Sequence, residues 1–237
     1  MMATFILVHG TSCGGWIWKR LSPLLREQGH EVYTPTLTGL SDRGHVRGGE
    51  INLTTHVTDI ANLIFYEDLN NVVLVGNSYG GMVITGVANK IPERLKFLVY
   101  LDAYLPDDGQ SEADLLPAHI FAARRAESAQ HNGLLPPPSP TLFGITDPVL
   151  VGWVKDRMTP HPIDTYTESV SSNEVSAAIP AVFIHCTANP PGTPDLFASS
   201  AAKAKARGWQ VIDLETGHLA MLTAPGQLAS ILLSLVK

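Results

Sequence analysis

Short runs of apolar, often β-branched residues alternate along this chain with longer amphipathic segments. The runs are nearly continuous in apolar character, which is typical of strands covered on both faces of a parallel sheet. They lie at Phe5–Val8, Glu31–Thr34, Val72–Val75, Phe97–Leu101, Ala181–Ile184 and Gln210–Leu214. Because strands that alternate with helices are joined by right-handed crossovers, the sequence predicts an α/β fold with a mostly parallel sheet of about six strands and helices on both faces.

The segments between these runs predict helices at Trp16–Gln28, Leu53–Leu69, Tyr79–Asn89, Asp195–Arg207 and Gln227–Val236. Between residues 105 and 178 no clear strand pattern is present, and a run of prolines separates two helical patterns at Ser111–Ala129 and Pro148–Arg157. The aromatic and apolar residues of this stretch need a packing partner, which argues against a flexible linker. We therefore expect a core made of residues 1–104 and 179–237, with a small helical cap inserted at residues 105–178.

Charge and composition exclude several classes of partner. The 237 residues carry a net charge of −6 without any block of like charges, so we expect no nucleic-acid or anionic-membrane surface. No stretch approaches the ~20 apolar residues of a membrane span. Cys13 and Cys186 are far apart and outside any metal-binding spacing, and the N-terminus lacks the pattern of a secretion signal. We expect a cytoplasmic protein without a metal site, and a homodimer stays open.

Residues 76–80 read Gly-Asn-Ser-Tyr-Gly and stand between a predicted strand and a predicted helix. Gly-x-Ser-x-Gly alone is a weak signal, but in this setting it predicts a sharp turn that exposes the serine at the carboxyl edge of the sheet. Ser78 would also lie at a helix N-terminus, where the dipole favours developing negative charge. Ser78 is therefore the candidate nucleophile. The alternative is a turn serine that only caps the helix.

The loop after the first predicted strand is rich in glycine and predicts an oxyanion hole. Acyl transfer needs two backbone N–H donors for the tetrahedral oxyanion, one from the first loop and one from the residue after the nucleophile. These would be the amides of Thr11 and Tyr79. A dinucleotide-binding turn fits poorly, because Gly-x-Gly-x-x-Gly is absent and no acid follows the second strand. A phosphate-binding P-loop is excluded because Gly-Lys-Ser/Thr is absent.

The loop after the last predicted strand supplies the candidate base. The expected chain order is nucleophile, acid, base, and residues 215–218 read Glu-Thr-Gly-His. His218 is therefore the candidate general base, with an exposed histidine that has no role as the alternative. Among the other histidines, we expect His185 to be a hydrogen-bonded core residue, His9 to brace the first loop, and His161 to be at most a pocket residue.

Two carboxylates compete for orienting this histidine. The loop after the fifth predicted strand has no carboxylate before Asp195, whereas Asp102 closes the fourth predicted strand. A carboxylate at the end of an apolar strand is costly to bury unless it has a partner. We favour Asp102, with Asp195 as the alternative acid. Asn189 could orient a histidine, but it could not stabilise an imidazolium by charge.

A resemblance to the bacterial α/β-hydrolases related to plant methyl-salicylate esterases and hydroxynitrile lyases is carried by His9–Trp18, Leu24–Tyr33, Val72–Gly81, Leu98–Pro106 and Gly217–Pro225. The resemblance implies the α/β-hydrolase fold, an active site beneath the cap, and no cofactor. In the lyases a threonine follows the strand-one histidine and a lysine follows the catalytic histidine. This chain has Gly10 and Leu219 at those positions, which is similar to the esterases.

These residues and the resemblance predict a serine hydrolase that cleaves a small, largely apolar carboxylic ester through an acyl-enzyme intermediate. The residues expected to line its substrate pocket are Gly10, Trp16, Tyr104, Phe121, Phe143, Trp153, Met158 and Leu219. Aromatic residues in such patterns also occur as plain core. The alternative functions are a hydroxynitrile lyase-type C–C lyase or a lactonase on the same scaffold, and a non-catalytic binder of a small ligand.

Overall fold

The apolar runs pair into one parallel sheet, as the computed structural model of residues 2–46 and 50–236 describes it. Its six strands are β1 Thr4–Val8, β2 Glu31–Tyr33, β3 Val72–Ser78, β4 Leu95–Ala103, β7 Ala181–Cys186 and β8 Gln210–Leu214. Their order in the sheet is β2-β1-β3-β4-β7-β8, and every neighbouring pair is parallel. The predicted fold class is confirmed, and β1, β3, β4 and β7 each contain at least four consecutive apolar residues.

Helices cover both faces of this sheet. The α-helices are α1 Ser22–Arg26, α2 Leu53–Tyr66, α3 Gly80–Lys90, α4 Glu112–Leu115, α5 Ala118–Ala129, α6 Pro148–Lys155, α7 Asp164–Thr167, α8 Glu174–Ala177, α9 Ala198–Ala206, α10 Ala220–Thr223 and α11 Pro225–Ser234. Successive side chains of a strand point to opposite faces. Accordingly, Val75 of β3 belongs to the same apolar layer as Leu228 of α11. Its neighbour Leu74 packs in the other layer with Ile60 of α2 and Met82 of α3.

Two predicted helices are interrupted, and in each case the second segment has a proline at its beginning. The predicted helix Trp16–Gln28 is a 3-10 helix at Gly15–Trp18 followed by the short α1, in whose first turn Pro23 lies. The predicted helix Ser111–Ala129 divides into α4 and α5 before Pro117. Proline lacks an N–H donor and disfavours helical backbone in the residue before it. Leu116 is accordingly extended, with ψ 147°.

The stretch between β4 and β7 contains two very short strands that the sequence did not predict. Leu134–Leu135 (β5) pairs antiparallel with His161–Pro162 (β6). Two residues are too few to leave an alternating pattern, so the expectation that this stretch has no strand was wrong. Tyr166 and Val170 from the same stretch are buried in the apolar layer that contains α2 and α3.

The division into core and cap stays a prediction, and its outermost residues 1 and 237 lie outside the described part of the chain. Within residues 2–46 and 50–236, no helix has both the length and the apolar character needed to cross a membrane.

Candidate active site

Ser78 is the last residue of β3 and stands on a sharp turn into α3. Its φ of 57° lies in the left-handed region, which is costly for a residue with a side chain. The turn is possible because residues 76 and 80 are glycines and have no Cβ. A Cβ on Gly76 would lie 2.5 Å from the Gly80 carbonyl oxygen, and a Cβ on Gly80 would lie 2.8 Å from the Val8 carbonyl oxygen. Only glycine fits these two close approaches. The hydroxyl is thereby held at the carboxyl edge of the sheet, beside the N-terminus of an eleven-residue helix.

His218 lies in the loop between β8 and α10 and contacts Asp102. The distance from His218 Nδ1 to Asp102 Oδ2 is 2.7 Å, and the other carboxylate oxygen accepts the backbone N–H of Cys186 at 3.1 Å. Both side chains are buried. Because a carboxylate only accepts hydrogen bonds, Nδ1 carries the proton and Nε2 keeps a free lone pair. The arrangement thus holds an imidazole in the tautomer that a general base requires.

The backbone at Asp102 explains how a strand residue reaches this histidine. Leu101 pairs with Asn77 and Ala103 pairs with Ser78, so Asp102 is the extra residue of a bulge in β4. Its φ of 44° is a second left-handed backbone beside that of Ser78. A bulge redirects a side chain that regular pairing would have aimed elsewhere.

Asp195, the alternative acid, lies elsewhere. Its Oδ2 is 3.0 Å from Nε2 of His185, and its Oδ1 accepts the backbone N–H groups of Phe197 and Ala198 at the beginning of α9. Asp195 therefore binds two backbone amides at the beginning of α9 and pairs with His185, while Asp102 contacts His218.

Thr11 lines the same cavity as Ser78, and Tyr79 follows Ser78 directly in the chain. Among the residues that the structure describes, neither of their backbone amides donates a hydrogen bond to another backbone group. The first loop is braced by His9, whose Nδ1–H donates to the Gly10 carbonyl at 2.8 Å while Nε2 accepts the N–H of Leu37 at 3.1 Å. Burial lowers the pKa of His9 to about 4, so this brace is neutral. Two N–H groups are thus left available for an oxyanion.

Two further buried histidines hold the same region. Nδ1 of His56 contacts the hydroxyl of Tyr79 at 2.9 Å, and Nδ1 of His161 accepts the backbone N–H of Ser12 at 3.2 Å. Burial lowers the pKa of His56 to about 4, and it also lowers the pKa of His161 well below the ordinary value of a histidine. His161 does not line the pocket, and its contact with the first loop gives it a bracing position.

Ser78, His218 and Asp102 line one cavity of about 300 Å³. Of the predicted pocket residues, Gly10, Tyr104, Phe143 and Leu219 also line it. Its other walls are mostly apolar and come from Leu135, Pro136, Pro137, Pro138, Leu142, Leu196 and Phe197. The proline run of the sequence therefore forms part of the site.

Four predicted pocket residues are elsewhere, so that part of the expectation was wrong. Trp16 packs edge-on against Trp153 with ring centroids 5.3 Å apart, and its Nε1–H donates to Ser41 Oγ. Met158 is buried in the apolar layer below β1 and β3, and Phe121 packs against the opposite layer. Large apolar side chains serve the core wherever a helix or turn faces it.

Sequence reasoning missed several residues at the site. The ring of Phe197 stacks on that of His218, with centroids 4.8 Å apart and planes 2° apart. The Asn77 amide donates to the carbonyl oxygens of Leu101 at 3.0 Å and His218 at 3.4 Å. Glu112 and Arg124 line the cavity from the predicted cap. No local pattern marks these residues, since each contact joins segments that are distant along the chain.

Comparisons with known proteins identify a family and relatives of this chain. The profile of a family described as "Alpha/beta hydrolase family" matches residues 5–231. A curated protein from Nocardioides sp. (strain SG-4G), "Carbendazim hydrolyzing esterase", is 37% identical over 244 residues, covering 99% of this chain and 100% of that protein. "Methylesterase 1" from Arabidopsis thaliana is 35% identical over 123 residues, which cover 47% of this chain and 43% of that protein.

A solved structure shares the whole architecture. It is titled "Extracellular alpha/beta-hydrolase from Paenibacillus species shares structural and functional homology to Tobacco Salicylic Acid Binding Protein 2". The TM-score is 0.84 at 27% sequence identity, with 98% of each chain covered.

Proposed function

We propose that this chain, which belongs to the alpha/beta hydrolase family, hydrolyses small carboxylic esters with Ser78 as nucleophile, His218 as general base and Asp102 as the acid that orients the base. Ester hydrolysis is the activity in the names of both curated relatives, one of which matches over the full chain. The observation that carries the assignment of residues is the 2.7 Å contact of His218 with Asp102, in a cavity that Ser78 also lines.

The proposed reaction begins at the serine hydroxyl. Nε2 of His218 takes the proton of Ser78 Oγ as the oxygen attacks the ester carbonyl carbon, and Asp102 stabilises the resulting imidazolium. The carbonyl oxygen becomes an oxyanion, which the amides of Thr11 and Tyr79 stabilise. Collapse of this intermediate breaks the bond to the alcohol oxygen, and His218 protonates the departing alkoxide.

A water molecule completes the cycle. His218 removes one of its protons as the water oxygen attacks the acyl-enzyme, and the second tetrahedral intermediate expels Ser78 Oγ, which regains a proton from His218. The products are one carboxylic acid and one alcohol. Every proton that leaves a nucleophile returns to a leaving group through the same nitrogen.

Cys13 also lines the cavity and is a conceivable nucleophile, but its chemistry disfavours that role. Burial raises its pKa to about 12, so it remains a thiol at neutral pH. The thiolate is the reactive form of cysteine. Ser78 has an imidazole from the same cavity to activate it, and the proposal therefore rests on the serine.

The cavity supports a small substrate with an apolar body. Its volume of about 300 Å³ is at the lower end of the roughly 300–1,000 Å³ typical of small-molecule sites. Leu219, directly after His218, is buried and offers no ammonium group to hold cyanide. This favours an esterase over a hydroxynitrile lyase. Because the Nocardioides relative is named for carbendazim, that compound belongs in the substrate panel beside simple methyl esters.

The serine assignment is tested by a single substitution. We expect Ser78→Ala to lower hydrolysis of p-nitrophenyl acetate about 10³-fold or more, since triad nucleophiles contribute at least that much. A fluorophosphonate probe should label the wild type and not the variant. Ser234→Ala, at an exposed serine in α11, is the matched control and should behave as the wild type. Wild-type turnover by Ser78→Ala, or labelling that survives the substitution, would refute the assignment.

Two expectations from the sequence stay predictions. A cytoplasmic location rested on the two cysteines, which are both buried and free, and on the N-terminal pattern, whereas the similar Paenibacillus protein is titled extracellular. A homodimer stays a prediction as well. Size-exclusion chromatography with light scattering would decide the oligomeric state.

A further inference from the structure

Glu112 is a buried acid that faces the candidate active site. It is the first residue of α4, its side chain lines the cavity that contains Ser78, and its exposed fraction is 0%. Neither Oε1 nor Oε2 hydrogen-bonds to any residue that the structure describes. Buried polar groups almost always have partners, because leaving one unpaired forfeits its hydration without return. A carboxyl group in this position is therefore expected to have a hydrogen-bond partner from outside the chain.

Arg124 does not supply the missing hydrogen bonds. Its Nη1 is 3.6 Å from Glu112 Oε1, which is an electrostatic contact beyond ordinary hydrogen-bond length. The guanidinium lies over the ring of Tyr166, 5.5 Å from its centroid. The hydroxyl of Tyr166 in turn donates to Thr11 Oγ1 at 3.1 Å. A polar path therefore leads from the first loop beside Ser78 to Glu112, along an otherwise mostly apolar cavity.

The protonation state suits a group that receives a polar ligand. Burial raises the pKa of Glu112 to about 8, and the Arg124 guanidinium offsets only part of this effect. Near neutral pH the side chain is therefore mostly a carboxylic acid with one O–H donor and a carbonyl acceptor. Burying a neutral carboxylic acid in an apolar pocket costs less free energy than burying a carboxylate, and its carbonyl oxygen can still accept a hydrogen bond.

We propose that Glu112 is a substrate-binding residue that accepts a hydrogen bond from an N–H or O–H group of the ester substrate. The proposal rests on the proposed function, because it places the donor in the same cavity as the ester that Ser78 attacks. In this proposal the cavity has an apolar part and a polar part. The apolar walls bind the body of the substrate, while Glu112 selects substrates that carry a hydrogen-bond donor such as an amide or carbamate N–H.

The test compares esters that differ only in the donor. Methyl N-phenylcarbamate has an N–H where methyl phenylacetate has a CH₂, and methyl mandelate adds an O–H to the latter. We expect Glu112→Leu to lower kcat/KM about 10- to 100-fold for the two donor-bearing esters and less than about 3-fold for methyl phenylacetate, the range given by one buried hydrogen bond. Since each ester is compared between enzymes, its intrinsic reactivity cancels.

Control variants separate the role of Glu112 from general damage. Glu112→Gln keeps a carbonyl acceptor and should retain most of the preference for the donor-bearing esters. Glu93→Gln, at an exposed acid in the turn before β4, and Arg125→Met, at an exposed residue of α5, should match the wild type. If Glu112→Leu does not fold, the wild type still decides the question. Acetanilide should inhibit p-nitrophenyl acetate hydrolysis at least 10-fold more strongly than phenylacetone, its CH₂ analogue.

The outcomes distinguish the two proposals. If Glu112→Leu lowers turnover of all three esters equally, or of none, Glu112 is not the donor-binding group and the esterase assignment stands. Equal inhibition by acetanilide and phenylacetone would likewise exclude Glu112 as the donor-binding group. If the wild type hydrolyses none of the esters and no fluorophosphonate labels Ser78, the proposed function itself fails.

Discussion

At the scale of single residues, the site depends on side chains whose hydrogen-bond partners and orientation are fixed by their surroundings. Asp102 is 2% exposed, and each of its oxygens has one donor, His218 Nδ1 or the Cys186 amide. A carboxylate buried in this way remains acceptable because both oxygens are paired. The Phe197 ring stacked on His218 further limits rotation of the imidazole. These contacts hold the imidazole with Nδ1 on Asp102 and one ring face on Phe197.

The role of Asp102 gives a prediction at this scale. Asp102→Asn should lower kcat for p-nitrophenyl acetate about 10³- to 10⁴-fold, because an amide N–H facing Nδ1 favours the wrong tautomer of His218. Asp195→Asn is the matched control and should stay within a few-fold of the wild type, since Asp195 pairs with His185. The measurement is steady-state kinetics on both variants. A larger loss in Asp195→Asn than in Asp102→Asn would reverse the assignment of the acid.

Gly10 supplies a second residue-scale prediction. A Cβ at this position would lie 2.7 Å from Ser78 Cβ and 3.3 Å from Ser78 Oγ. Gly10→Thr, which introduces the residue of the lyases, should therefore displace the serine and lower kcat/KM for p-nitrophenyl acetate about 10-fold or more, as misplaced reacting groups do. Gly109→Thr tests the same change in open space, although a left-handed φ of 78° adds local strain. Unaltered kinetics in Gly10→Thr would mean that Ser78 tolerates movement.

At the scale of elements, the site is built where β3 and β4 end. A tight turn carries β3 into α3, and a bulge in β4 brings Asp102 to the same edge. Two left-handed residues, Ser78 and Asp102, therefore lie on neighbouring strands. Such backbone persists only where surrounding packing over-determines it. The strongly buried α3 and the paired strands supply that packing, so the geometry of the proposed catalytic residues depends on the stability of the sheet.

The turn between β3 and α3 gives an element-scale prediction. In Gly76→Ala the new Cβ would lie 2.5 Å from the carbonyl oxygen of Gly80 and 2.7 Å from its carbon, which are backbone atoms that cannot move aside. We expect unfolding free energy to fall by about 2–3 kcal/mol, as in overpacked cores, and activity to fall with it. Urea denaturation measures the loss.

Gly152 is the matched control for that experiment. It lies inside α6, and nothing would contact its Cβ within 4 Å. Gly152→Ala should therefore stabilise the protein by about 0.5–1 kcal/mol through helix propensity. Equal effects of the two substitutions would show that the turn tolerates a side chain.

At the scale of the whole molecule, three buried neutral histidines connect the sheet, α2 and the stretch between β4 and β7. His56 and His161 pack edge-on with ring centroids 6.0 Å apart, and both pack against Tyr79. His9 joins the first loop to the backbone after β2. Protonation of any of these rings would place a charge in the interior. The three histidines are therefore harder to protonate in the folded protein than in the unfolded chain.

This cluster predicts loss of stability in acid. Burial lowers the pKa of His9 and of His56 to about 4, below the ~6.5 of an unfolded histidine. The unfolded state therefore binds more protons, and the stability present above pH 6.5 is lost as the pH falls toward 4. Each of the two histidines contributes up to about 3 kcal/mol to this loss.

Urea denaturation at pH 7.5 and pH 5 measures the effect. His56→Gln, which can keep both hydrogen bonds without titrating, should lose less stability between the two pH values than the wild type. His119→Gln, at an exposed histidine of α5, should keep the full loss. Identical pH dependence in His56→Gln and the wild type would exclude His56 as a source of the acid sensitivity.

Much of this protein was determined by local sequence. Continuous apolar runs predicted the strands of the parallel sheet, because burial on both faces leaves that pattern in any chain. The Gly-Asn-Ser-Tyr-Gly motif predicted a turn that no bulkier residues could make, and Ser78 stands on it with a φ of 57°. Loop position along the chain selected His218 among nine histidines. Each of these signals depends on neighbours within a few residues.

Only the tertiary structure decided which distant residues meet. Asp102 and His218 are 116 positions apart, and although the sequence favoured Asp102 over Asp195, the contact between Asp102 and His218 depends on strand register and a bulge that no local pattern encodes. The same holds for Phe197 on His218 and for Glu112 in the cavity, since their positions depend on how proline-broken helices pack over the sheet. Apolar character predicts that a residue is buried, but the packing of complete elements decides whether it faces the core or the substrate.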